Sequence, residues 1–138
     1  MRYYSKIDDT VLLFSVIKMQ DITEQRLDLS PVENSLQASA KILKKDIEFR
    51  AHKHLPLDRH TTRTEEAWVF LKGSVMATFY DIDDTVYDQI VLEAGDCAVV
   101  YNAGHSFTVL EDNTTLYEFK NGPYYGVEKD KVFLSEVK

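Results

Sequence analysis

Apolar and polar positions along this chain fall into short blocks cut by turn residues. Residues 10–18 (TVLLFSVIK) are apolar and rich in branched side chains, which predicts a strand. Residues 19–35 are polar, contain Pro31 and read as connection with at most one short helical turn. Residues 36–43 have the length of a strand between two connections and are assigned as one. Residues 47–54 (IEFRAHKH) alternate: Ile47, Phe49 and Ala51 take one face, Arg50, His52 and His54 the other. After a polar loop containing Pro56, residues 66–72 (EAWVFLK) predict a strand stopped by Gly73. Residues 75–81 and 86–92 flank the acidic turn DIDD and predict a hairpin. Residues 97–101, 106–110 and 115–120 continue the run, and residues 132–134 offer one last pairing segment.

From position 45 onward the turn signals recur every eight to twelve residues, the spacing of an all-β sandwich or antiparallel barrel. The 138 residues suit one domain, with 1–35 as N-terminal strand and connection and 36–131 as the barrel. Tyr and Phe, eight and seven in number, favour strands over helices. A net charge of −7 argues against a nucleic-acid or anionic-membrane binder, since both need a basic face. One cysteine, Cys97, excludes an internal disulfide framework and reads as a small buried hydrophobe. The N-terminus (MRYYSKIDDT) is charged where a signal peptide needs its apolar core, and no run approaches the roughly twenty apolar residues of a membrane span. The expectation is a soluble cytoplasmic protein.

The candidate chemistry lies in the histidines, all four between positions 52 and 105. On a strand, the side chains of His52 and His54 share a face with Cβ atoms roughly 7 Å apart, so their imidazoles can converge on one ion. Glu66 opens the next strand, with Trp68 on its face and Glu65 turned outward by alternation. Gly73 follows Glu66 after six residues, Gly95-Asp96 opens a later strand, and Gly104-His105 opens the one after that.

This order of HxH, Glu with Gly seven positions on, Gly-Asp, and Gly-His resembles the two motifs of the cupin superfamily. The segment EFKNGPYYGVEKDK, residues 118–131, is similar to the ending of small one-domain cupin metalloproteins of the WbuC type, found mostly in bacteria. The resemblance covers residues 36–131. It implies a jelly-roll β-barrel (the RmlC-like architecture) holding one divalent metal, Fe, Ni, Zn or Mn, through His52, His54, Glu66 and His105. It also implies a homodimer with the N-terminal strand packed across it. Two features depart from the pattern. Eleven residues separate His54 from Glu66 where three or four are usual, and Tyr101 stands where Pro is usual, with His105 directly after Gly104. The long insert offers a second register in which Asp58 and His60 replace the histidine pair.

Three imidazoles and a carboxylate leave an octahedral ion two open positions for water, dioxygen or substrate oxygens. The resemblance therefore implies isomerase, epimerase or dioxygenase chemistry on a small oxygenated molecule, sugar derivatives among them. A proton-transfer step needs a general base, for which His60 and Tyr101 are the candidates. Arg50 and Arg59 are candidates for an anionic substrate group. The alternatives are a metal-bearing binding or sensing module without turnover, and a metal-free barrel acting as an interaction partner.

Overall fold

The structure is a computed structural model that describes residues 1–134. Ten strands run in chain order: β1 (Arg2–Tyr4), β2 (Leu12–Ile17), β3 (Arg26–Asp28), β4 (Ser39–Lys41), β5 (Glu66–Lys72), β6 (Ser74–Tyr80), β7 (Val86–Glu93), β8 (Cys97–Val100), β9 (Gly104–Val109) and β10 (Thr115–Lys120). Among the described residues, helix is confined to a 3-10 turn at Met19–Asp21 and the four-residue α1 (Val127–Asp130).

Every pairing is antiparallel. Five strands form one sheet in the order β1-β2-β8-β5-β10, three form a second in the order β7-β6-β9, and β3 and β4 make a separate ribbon. The all-β expectation therefore holds, and the last four residues of the expected domain lie outside the described residues. No sheet among the described residues closes on itself.

The main core lies between the two large sheets. Alternation on β5 sends Trp68 and Phe70 inward, where they meet Phe14 and Val16 of β2, Val75, Ala77 and Phe79 of β6, and Leu92 of β7. The aromatic rings form a stack, Tyr3 on Phe14 at 4.4 Å and Phe14 on Phe79 at 3.8 Å, and Trp68 packs against Phe79 at 6.3 Å. Each fully buried large apolar side chain contributes roughly 1.5–3 kcal/mol. The outer face of the five-stranded sheet has its own cluster. Ile17, Ala67, Val99 and Tyr101 are covered there by Leu27 and Leu29, and by Leu36, Ala38 and Ala40 from the β4 side of the ribbon.

Turn chemistry fixes the hairpins. Gly73 joins β5 to β6 at φ +73°, and a Cβ there would lie 2.3 Å from Thr114 Oγ1, so no other residue fits without displacement. In the acidic turn Asp84 takes φ 65°, its N–H bonds Asp81 O at 3.0 Å, and Asp81 N–H bonds Thr85 O at 2.8 Å.

Two strand assignments do not hold. Residues 47–54 alternate as a strand does but have no strand partner, and Ile47 and Phe49 stay exposed. Residues 132–134 are likewise unpaired among the described residues. Residues 36–43 supply only the three-residue β4, while β1 appears where no strand was expected. Tyr3 explains β1: its ring stacks on Phe14, so a short polar strand gains a core anchor.

Candidate functional site

Glu66 is the first residue of β5 and points between the sheets, on the same face as Trp68. It is 5% exposed. The register of β10 against β5 sets Lys120 opposite Glu66 and Glu118 opposite Trp68. His105 comes from the other sheet, near the start of β9, where it pairs with Phe79. Two sheets thus deliver the Glu66 carboxylate, the Lys120 ammonium and the His105 imidazole to the same end of the core.

The indole N–H of Trp68 donates to Glu66 Oε1 at 2.5 Å, and the Lys120 ammonium lies 3.1 Å from Glu66 Oε2 and 3.0 Å from Glu118 Oε1. His105 Nε2 faces Glu66 Oε2 at 3.6 Å, an electrostatic contact longer than a full hydrogen bond. The His105 ring packs edge-on against Trp68 at 5.1 Å, and its Nδ1 is buried with no partner among the described residues. Burial by itself would raise the Glu66 pKa. The neighbouring His105 and the Trp68 N–H outweigh it and hold the carboxyl well below the usual carboxylate range. For Lys120 burial acts downward, but Glu118 and Glu66 outweigh it and raise the amine above its ordinary range. Glu66 and Lys120 are therefore a fixed ion pair at neutral pH, and neither is poised to exchange a proton.

The site is open along the side between β9 and β10. Phe107 and Val109 share the inward face of β9 with His105, yet they are 37% and 54% exposed. Among the described residues the free edge of β9 has no strand beside it.

The remaining candidates lie elsewhere. His52 and His54 sit in the irregular segment before β5, exposed, with ring centroids 5.5 Å apart and His52 Nδ1 2.9 Å from Arg50 O. His60 is also exposed and its Nε2 meets Asp58 Oδ2 at 3.2 Å. Tyr101 is buried on the opposite face of the five-stranded sheet. Its hydroxyl donates to Leu29 O and meets Ser30 Oγ, both at 3.2 Å, and burial raises its pKa. That placement turns Tyr101 away from Glu66. Arg50 and Arg59 are exposed on the same irregular segment as the histidine pair. Among the described residues no three His, Cys, Asp or Glu side chains stand close enough to hold a metal ion. Of the four expected ligands, then, the fold brings Glu66 and His105 together and leaves His52 and His54 outside.

Two residues of the site region escaped sequence reasoning. Lys120 looks like any surface lysine until the β5–β10 register is known. Glu65 was expected to face outward, and it does leave the Glu66 face, but it is buried. Its carboxylate accepts hydrogen bonds from Asn34 Nδ2 at 2.7 Å, Ser35 Oγ at 3.0 Å and Leu36 N at 2.6 Å, pinning the chain before β4 onto the sheet. No helix among the described residues is long and apolar enough to cross a membrane. Comparison with protein-family models, with curated proteins and with solved structures found no match.

Proposed function

We propose that this protein is a cupin-type metal-binding protein that takes up a small oxygenated molecule in the opening between β9 and β10. The observation that carries this reading is the meeting of Glu66 and His105 from two different sheets, with a buried imidazole nitrogen left unpartnered. Carboxylate and imidazole are a donor pair suited to Fe, Ni, Zn or Mn. His52 and His54 would complete the set, which requires the irregular segment to come to the opening. The free edge of β9 and the alternation of residues 47–54 are what support such a move.

A bound divalent ion would supply Lewis acidity toward a carbonyl or hydroxyl oxygen, or, as iron, dioxygen chemistry. The chain's own residues have separable tasks. Trp68 orients the carboxylate through its indole N–H, and Phe107 lines the opening. Lys120 presents positive charge toward the same carboxylate oxygen. Isomerase, epimerase or dioxygenase activity and binding without turnover are both compatible with this site.

A second reading is favoured by one specific feature. The Lys120 ammonium already pairs with Glu66, and in this reading Lys120 is the site's resident cation in place of a metal. Elemental analysis of the purified protein separates the two. The metal reading expects about one ion per chain, lost in Glu66→Gln, His105→Ala and His54→Ala but kept in His60→Ala. Absence of metal after expression in metal-supplemented medium, with no uptake on titration, overturns it and leaves the lysine reading. Loss of metal in His60→Ala with retention in His52→Ala would instead install the Asp58–His60 register.

A further inference from the structure

A cavity of about 220 Å³ lies where the loop before β5 meets the chain after β10. Thr61, Thr62, Arg63 and Thr64 line it from one side, Tyr125 and Lys129 from the other. The two sides are locked by Asn121. Its Oδ1 accepts the Glu65 N–H at 2.6 Å, and its Nδ2 donates to Thr61 Oγ1 at 3.2 Å and to Arg63 O at 3.0 Å. Thr64 Oγ1 adds a bond to Asp130 Oδ1 at 2.7 Å, which engages the one carboxylate in the cavity wall.

The chemistry of this wall is that of an anion receptor. Arg63 and Lys129 both line this space, and among the described residues neither side chain is within ion-pair distance of a carboxylate. The Thr62 and Tyr125 hydroxyls supply further donors without charge, those of Thr61 and Thr64 being engaged with Arg63 O and Asp130 Oδ1. The volume is below the roughly 300–1,000 Å³ of sites that enclose a whole drug-sized ligand, so it suits one head group. Its position matters as much. Thr64 lies two residues before Glu66, and Asn121 immediately follows Lys120. The cavity therefore adjoins the end of the β5–β10 pair that carries Glu66 and Lys120.

We propose that this cavity binds the phosphate group of a phosphorylated small molecule, and that Arg63 and Lys129 are its charged contacts. The role as substrate anchor rests on the function proposed above; the affinity for phosphate does not. Arg63 suits a planar, bidentate hold on two phosphate oxygens, and Lys129 suits a point-charge contact.

The test is a titration of the full chain with inorganic phosphate at constant ionic strength, followed by backbone amide NMR in the presence of a metal chelator. Saturable shifts confined to residues 61–64, Asn121, Tyr125 and Lys129 are expected, with acetate binding more weakly. Arg63→Ala and Lys129→Ala should each weaken phosphate about tenfold, the loss of one charge-assisted contact. Arg59→Ala, outside the cavity, should change nothing. Both target residues are exposed, so the variants should keep the melting temperature of the parent. Shifts that do not saturate, that acetate produces equally well, or that survive both substitutions overturn the proposal. Because chelator is present throughout, failure here is distinct from failure of the metal reading, which elemental analysis decides.

Discussion

Replacing Lys120 by Met removes the cation from a buried carboxylate while keeping most of the side-chain volume. At 3.1 Å, a unit pair is worth about 5 kcal/mol at an effective dielectric of about 20 and about 1.3 kcal/mol in water. Lys120 is 22% exposed and Glu66 6%, so the pair lies between these limits and has already lost part of its hydration. Glu66 keeps the Trp68 N–H and the His105 contact in the variant. A net destabilisation of about 2 kcal/mol follows, between the values for exposed and fully buried pairs. For a chain of this length that lowers the melting temperature by about 6–10 °C.

The pH dependence has a determined sign. The Glu66 carboxyl is held below its ordinary value of 4.5, so its share of stability is complete above that pH and is lost as pH falls below it. The Lys120 amine is held above its ordinary 10.5, so its share is complete below that pH and is lost only as pH rises through the raised value. The difference in melting temperature between parent and Lys120→Met should therefore keep its full width from neutrality to about pH 10 and narrow as pH falls below 4.5. Differential scanning calorimetry from pH 3 to pH 10 reads it. Under the metal reading, Lys120→Met should also bind a divalent ion more tightly, since it removes the competing cation. A variant with the parent's stability at pH 7 and the parent's metal affinity would refute the reasoning.

Three further outcomes are expected. Gly73→Ala should destabilise by about 2 kcal/mol or more in thermal melts, from the left-handed backbone at φ +73° and the clash with Thr114. Glu65→Ala should cost about 2–4 kcal/mol and expose the amide of Leu36 to rapid hydrogen exchange, since it removes the acceptor of three hydrogen bonds. Cys97 should alkylate slowly at pH 8 in the native state and quickly in denaturant. Burial first, and Asp96 beside it, push its pKa up to about 11, so the thiolate fraction at pH 8 is about one in a thousand.

The strands between positions 66 and 120 were legible because alternation, branched residues and turn signals all agree there. β5 and β10 match the sequence reading residue for residue. Residues 47–54 carry the same alternation and form no strand. Period two says which side chains would share a face; it does not supply a partner edge. For the same reason Glu66 and His105 could be nominated from motif order, but Lys120 could not. Its role depends on a register set by the pairing of two strands almost fifty residues apart. Glu65 and Glu66 are chemically identical neighbours, and only the two different surfaces covering the sheet separate a site carboxylate from one that pins a loop. Tyr101 qualifies as a candidate base from its strand alone, and only the ribbon that covers its face turns it away from the site.

Trp68 is the one tryptophan in the chain, and its indole N–H bonds the carboxylate at the centre of the proposed site. Titration with paramagnetic Mn²⁺, followed through the single indole N–H resonance, therefore tests the central claim most directly. The account predicts that this resonance broadens away at about one equivalent of ion, and that it does not in Glu66→Gln. An indole signal that stays sharp while the His52 and His54 resonances broaden would contradict it, by placing any metal on the exposed segment and not between the sheets.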